Sequence, residues 1–170
     1  MDIFDDKFMP ALKVEDFKKA EAALEEYKLE ATHTMYMWAK SLLYYCMNQQ
    51  DRANKILSEV IDKGTDENKI CQHTRDDNYL NDKQYIKALA DFDVILLDKM
   101  PKVQEAFGAD CLFRKAFILA VLGDNEFNDV IDKLAPDAEN FITDAIYDKA
   151  SLIKIYEATR KPVREKPKLE

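Results

Sequence analysis

A small residue recurs in this chain at Ala20, Ala53 and Ala88, at intervals of 33 and 35. Each copy carries a large apolar residue four places on, at Leu24, Leu57 and Phe92. The fullest copy, residues 82–92, reads as a polar turn, Tyr85, Ala88 and Phe92, with Ile95 beyond it. Phe17, Ala20, Leu24 and Tyr27 repeat that phrase, and Asp51, Ala53, Leu57 and Val60 repeat it without the aromatic. A looser copy, Phe127, Val130 and Leu134, follows after a longer interval of 42. Apolar residues three and four places apart line one side of a helix. A helical unit returning every 34 residues or so, about the length of a helical hairpin, cannot bury its apolar face alone and stacks on its neighbours. The pattern predicts an all-α array of about four helical hairpins.

The spacing places helices over residues 14–30, 35–47, 53–63, 68–80, 83–100, 111–122 and 126–134. Thr32 or Thr34 caps the second of these, and Gly64 ends the third. The segment 68–80 has the fewest apolar residues, only Ile70, Cys71, Tyr79 and Leu80. Residues 102–107 continue as a turn or short helix that Gly108 breaks. A final amphipathic helix over 141–159, with Phe141, Ala145, Leu152, Ile155 and Tyr156 inward, is expected to cap the array. Residues 1–12 form a lead-in, a short helix stopped by Pro10. Residues 13–159 form one repeat domain, and 160–170 a basic extended tail with five Lys/Arg against two Glu.

These phrases resemble the tetratricopeptide repeat, whose pattern closes on Ala-x3-Phe and often a proline, as in Ala88, Phe92 and Pro101. Met37, Ser41 and Tyr44 hold first-helix places before Ala53, with Trp38 one position from the usual tryptophan. Leu112, Ala116 and Leu119 hold them before Gly123, where the Leu-Gly-Asp turn is also repeat-like. The chain departs from the pattern in the polar stretch 73–77 and in lacking most of the usual glycines. The resemblance covers residues 13–135 and implies a right-handed superhelix whose first helices line a concave groove. Groove-facing places then fall on Met35, Trp38, Leu42 and Tyr45, on His73 and Asp77, and on Asp110, Phe113 and Phe117. Aromatic rings open in such a groove bind protein segments, whereas the bland alternative makes them core, covered by the lead-in or the terminal helix. Some members of this family clamp a chaperone's C-terminal carboxylate. Phe113-Arg114-Lys115-Ala116 resembles one part of that clamp, but Asp110 stands where a lysine is required.

A net charge of −8 argues against nucleic acid as a partner and suits a basic protein segment. The longest apolar run, 116–122, is too short to span a bilayer, and acid stands where a signal peptide would be basic. Cys46, Cys71 and Cys111 are an odd set without CxxC spacing, which suits the reducing cytoplasm. Cys71-x-His73 lacks a second ligand pair, so no metal and no cofactor is expected. The adjacent carboxylates Glu25/Glu26 and Asp76/Asp77 diverge by about 100° on a helix. No nucleophile elbow or phosphate loop is present, so no catalytic residue is assigned. The expected function is a non-enzymatic adaptor or scaffold that holds a peptide or helix through Trp38, Leu42, Tyr45, His73, Asp77, Asp110, Phe113 and Phe117. The alternative is an acidic immunity protein or secretion chaperone that sequesters one basic partner. A homodimer is a further expectation, through residues 68–80 or the lead-in.

Overall fold

Residues 2–64 and 68–160 are described by a computed structural model. The expectation of a basic tail lies, beyond Arg160, outside the described residues. The chain is mostly helical, 72% helix, well above the one-third usual for soluble domains. Its elements are α1 (Met9–Lys13), α2 (Phe17–Tyr27), α3 (His33–Cys46), α4 (Gln50–Asp62), α5 (Asn68–Asn81), α6 (Tyr85–Leu96), α7 (Pro101–Val103), α8 (Ala109–Leu122) and α9 (Phe127–Ile131), followed by strands β1 (Glu139–Ile142) and β2 (Ala145–Asp148) and helix α10 (Lys149–Thr159). Among the described residues no helix is long and apolar enough to cross a membrane.

One backbone closure recurs along the chain. Glu15, Asn48, Lys83 and Gly123 all adopt left-handed φ, between 57° and 64°. The next N–H in each case reaches back five residues: Asp16 to the Ala11 carbonyl, Gln49 to Tyr44, Gln84 to Tyr79 and Asp124 to Leu119, at 2.8–3.0 Å. This closure satisfies helix-end carbonyls that would otherwise lack donors. It joins α1 to α2, α3 to α4, α5 to α6 and α8 to α9, at intervals of 33, 35 and 40 residues. Ala20, Ala53 and Ala88 each follow the closure by five residues and are fully buried. The glycines missing from the sequence pattern are therefore replaced by Glu15, Asn48 and Lys83 in the same conformation.

Several boundaries differ from the sequence expectation. Pro10 does not stop the lead-in: a π-helical turn, Phe4–Phe8, runs straight into α1, and Pro10 sits in its first turn, where its missing N–H does no harm. Thr32, not Thr34, caps α3 by accepting from Met35 N. Gly108 does not break the helix, because a second π-helical turn, Gln104–Gly108, links α7 to α8. A Cβ on Gly108 would lie 2.7 Å from Gln104 Oε1, so the glycine makes room for that folded side chain. Gln104 in turn donates to the carbonyls of Ile95 and Asp98 at 2.7 and 2.9 Å.

The largest correction is at residues 141–148. They form an antiparallel hairpin in which Asn140 pairs with Tyr147 and Ile142 with Ala145 on one face, and Phe141 with Ile146 on the other. Burial alternates along both strands, and the β-branched and aromatic residues Phe141, Ile142, Ile146 and Tyr147 favour extended backbone over the helical spacing there. Asp148 then caps α10, accepting from Ser151 N at 2.7 Å. The terminal helix is thus Lys149–Thr159, and Phe141 is exposed instead of inward.

The chain divides into two compact units, residues 1–91 and 92–170, with the boundary inside α6. In the first, α2 packs on α3, α3 on α4 and α4 on α5, and α3 also touches α5. Its core holds Phe8, Leu12, Ala20, Leu24, Ala39 and Leu43. The lead-in is part of it. In the second, α9 and α10 both pack on α8, the hairpin rests on α8 through β1, and Phe127 stacks on Tyr156 at 4.4 Å.

Candidate interaction surface

Helices α3 and α5 each open one hairpin of the first unit, and their contact sets side by side the residues expected on a groove. Trp38, Leu42 and Tyr45 on α3, and His73 and Asp77 on α5, are all partly exposed. Each helix ties itself to the other through polar side chains. Trp38 Nε1 donates to Thr74 Oγ1 at 2.8 Å, and Thr74 donates back to the Ile70 carbonyl at 2.9 Å. Tyr45 is hydrogen-bonded to Asn81. Burial first, then the nearby charges of Asp82 and Asp77, push the Tyr45 phenol above its ordinary value. The face is therefore aromatic at its centre and negative at its Tyr45 end.

Trp38 is not open to a partner on both ring faces. Phe4 stacks on it at 5.2 Å, and it packs against the core of Leu57, Val60 and Cys71. Sequence alone does not single out Phe4, although its place in an apolar lead-in offers the hint. Leu42, also partly exposed, packs against the core that holds Phe8, Leu12 and Leu43.

The polar stretch 73–77 has a structural reason. Arg75 makes a two-point bond to Asp91, Nε to Oδ2 at 2.8 Å and Nη2 to Oδ1 at 2.7 Å, and donates through Nη1 to Ser58 at 2.8 Å. Gln72 adds a bond to Asp91, and Asn78 donates to Asn54 at 2.8 Å. Side chains from α4, α5 and α6 thus meet in one buried polar seam, which sequence periodicity cannot detect because it scores only apolar residues. Asp76 is wholly buried and faces His73 Nδ1 at 3.1 Å through Oδ1, while its Oδ2 has no hydrogen-bond partner among the described residues. Burial pushes its carboxyl from 3.8 up to about 8, against the pull of His73.

In the second unit the expected groove residues are covered by the chain itself. Phe113 and Phe117 are only 2% and 7% exposed, so they are core and not open anchors. The Tyr147 ring lies 5.0 Å from Phe117, and Asn140 donates to Asp110 Oδ1. The hairpin that replaces the expected helix supplies both covers. Arg114 and Lys115 are turned to the chain's own acids: Arg114 Nε lies 2.7 Å from Asp110, and Lys115 Nζ lies 2.7 Å from Asp93 and 2.6 Å from Glu126. The carboxylate-clamp likeness at these residues has no cation to spare.

Comparison with protein-family models, with curated proteins and with solved structures finds no match to this chain.

Proposed function

We propose that this chain is a tetratricopeptide-like helical-repeat protein and a non-enzymatic interaction module that holds a basic, amphipathic protein segment. The right-handed superhelical form implied by the sequence resemblance is part of that reading. The observation that carries it is the face shared by α3 and α5, where Tyr45 lies partly exposed near Asp77 and Asp82, with the partly exposed Leu42 one turn before it on α3. An aromatic with acids around it suits a segment with an apolar anchor flanked by lysine or arginine. The net charge of −8 adds long-range attraction for such a segment. A cytoplasmic setting fits the three thiols, Cys46, Cys71 and Cys111.

The chain's single tryptophan sits on this face and is the reporter. A synthetic helical peptide of alternating leucine and lysine stripes is titrated in, and the Trp38 emission is followed. Saturable change that weakens with salt supports the proposal. The same change with a glutamate-for-lysine peptide, or none with either, refutes it.

A further inference from the structure

In the first unit the second helix of one hairpin lies on the first helix of the next, twice in one register. On α3, Leu43 shares a core with Leu24 of α2, and Tyr36 donates to Glu25 at 3.2 Å. Lys40 and Tyr44 line a small cleft there with Glu21 and Glu25. One interval on, α5 receives α4 in the same way: Arg75 donates to Ser58 and Asn78 to Asn54, both at 2.8 Å. Counted from the closures, Arg75 holds the place of Lys40 and Asn78 that of Leu43, while Asn54 and Ser58 hold those of Glu21 and Glu25. The same places on the first hairpin border an open cleft of about 550 Å³ between α1 and α2. Pro10 is exposed there, whereas its counterpart Leu43 is 2% exposed under α2. The rim of the cleft repeats and its floor does not. Lys7, Lys19 and Glu26 stand where the second hairpin has Lys40, Arg52 and Glu59. Pro10, Ala11, Val14 and Ala23 stand where it has Leu43, Tyr44, Met47 and Ile56, each smaller than its counterpart. That lost side-chain volume opens the recess, whose size is within the range of pockets that take a ligand group.

We propose that this cleft receives an amphipathic helix of a partner protein, seated as α2 is seated on α3. The helix carries one large apolar anchor in the place of Leu24, with carboxylates three before and one after it, the places of Glu21 and Glu25. Because the floor is smaller than its counterpart, it takes an aromatic anchor at least as well as leucine. Lys7 and Lys19, with side chains 36% and 81% exposed, meet the carboxylates; in the free chain they pair with Glu26 and Asp16. Charge-matched helix-in-groove docking of this kind sets orientation as well as affinity. The cleft residues Lys19, Ala22, Ala23 and Glu26 lie about 130° round α2 from the stripe of Ala20 and Leu24 that faces α3. This site is therefore separate from the α3–α5 face and takes a segment of the opposite charge.

A synthetic peptide of residues 16–30, the α2 sequence that fills this place on α3, is the probe, with Leu24→Phe and Leu24→Ala versions beside it. Each is titrated into the full chain to about 1 mM, which captures weak binding, and backbone amide shifts are followed. Saturable shifts are expected at Ala11, Val14, Lys19 and Ala22 and not at Tyr45 or Asp77, which separates this site from the α3–α5 face. The Leu24→Phe peptide is expected to bind at least as tightly as the parent, and the Leu24→Ala peptide at least about tenfold more weakly. In the protein, Ala22→Glu at an exposed position fills the recess and repels the acids, and is expected to weaken binding at least about tenfold. Val14→Asp, at a position 74% exposed, carries the same prediction should the first variant fail to fold. No shifts, shifts away from the cleft, or binding unmoved by both variants would each overturn the proposal. So would concentration-dependent shifts at the cleft without peptide, which would give the site to a second copy of the chain.

Discussion

Trp38 and Thr74 stand 36 residues apart and are joined by a 2.8 Å hydrogen bond from the indole N–H to the threonine hydroxyl. Trp38 lies ten residues before the Asn48 closure and Thr74 nine before the Lys83 closure, so the bond ties α3 to α5, the opening helices of consecutive hairpins, one position off the repeat interval. Thr74→Val keeps the shape and removes the acceptor. It is expected to cost about 1 kcal/mol in urea unfolding, with a shifted Trp38 emission. Trp38→Ala also strips the support under Phe4 and is expected to cost about 3 kcal/mol. A Trp38→Ala loss near zero would place the indole in solvent and restore it as a contact residue.

The left-handed closures make a separate prediction. Glu15 and Lys83 carry a Cβ in a conformation that favours glycine. Glu15→Gly and Lys83→Gly are each expected to raise stability by up to about 1 kcal/mol, and Asn48→Gly by less, since asparagine tolerates this conformation. Gly123→Ala runs the other way, because its φ is 64° and a Cβ there would lie 3.0 Å from the Thr159 carbonyl oxygen. Thermal melts of the four variants check the signs. A loss of stability in Lys83→Gly would contradict the closure.

Much of this backbone was legible in advance. The interval of Ala20, Ala53 and Ala88 located three second helices, because a buried small residue at a fixed offset from a turn leaves its mark on sequence. The hairpin at 139–148 was not legible by that route. Phe141, Ala145 and Leu152 satisfy helical spacing by coincidence, and the decisive signals are local, the Asp148 cap and the two-residue turn at Thr143-Asp144. Repeat phasing put Leu42, Tyr45, His73 and Asp77 on α3 and α5, where they are partly exposed, but it cannot say what covers a face. Phe4 on Trp38 and Tyr147 on Phe117 are partners distant in sequence.

The polar seam predicts asymmetric costs. Arg75→Met leaves the buried Asp91 carboxylate without its cation and is expected to destabilise by about 3 kcal/mol or more. The double change Arg75→Met, Asp91→Leu is expected to recover much of that loss, since it removes both charges. Denaturant unfolding of the cycle measures the coupling.

Asp76 sets a pH dependence. Its carboxyl titrates at about 8 when folded and near 3.8 when not, so between these values the folded chain holds a proton the unfolded chain has released. Stability from this group therefore falls as pH rises from about 4 to about 8, by an amount on the order of a few kcal/mol. The neighbours that bear on it include His73, Asp77 and Asp91. Asp76→Asn is expected to flatten that slope and to raise the melting temperature at pH 8. An unchanged slope would show that Asp76 is ionised when folded.

Backbone chemical-shift mapping with the leucine–lysine peptide tests the proposal that the α3–α5 face receives a basic segment. The account predicts shifts clustered at Leu42, Tyr45, His73, Asp77 and Asp82, with Tyr45→Ala and Asp77→Lys each weakening binding about tenfold or more. Shifts scattered over the surface, or binding unchanged in both variants, would contradict it.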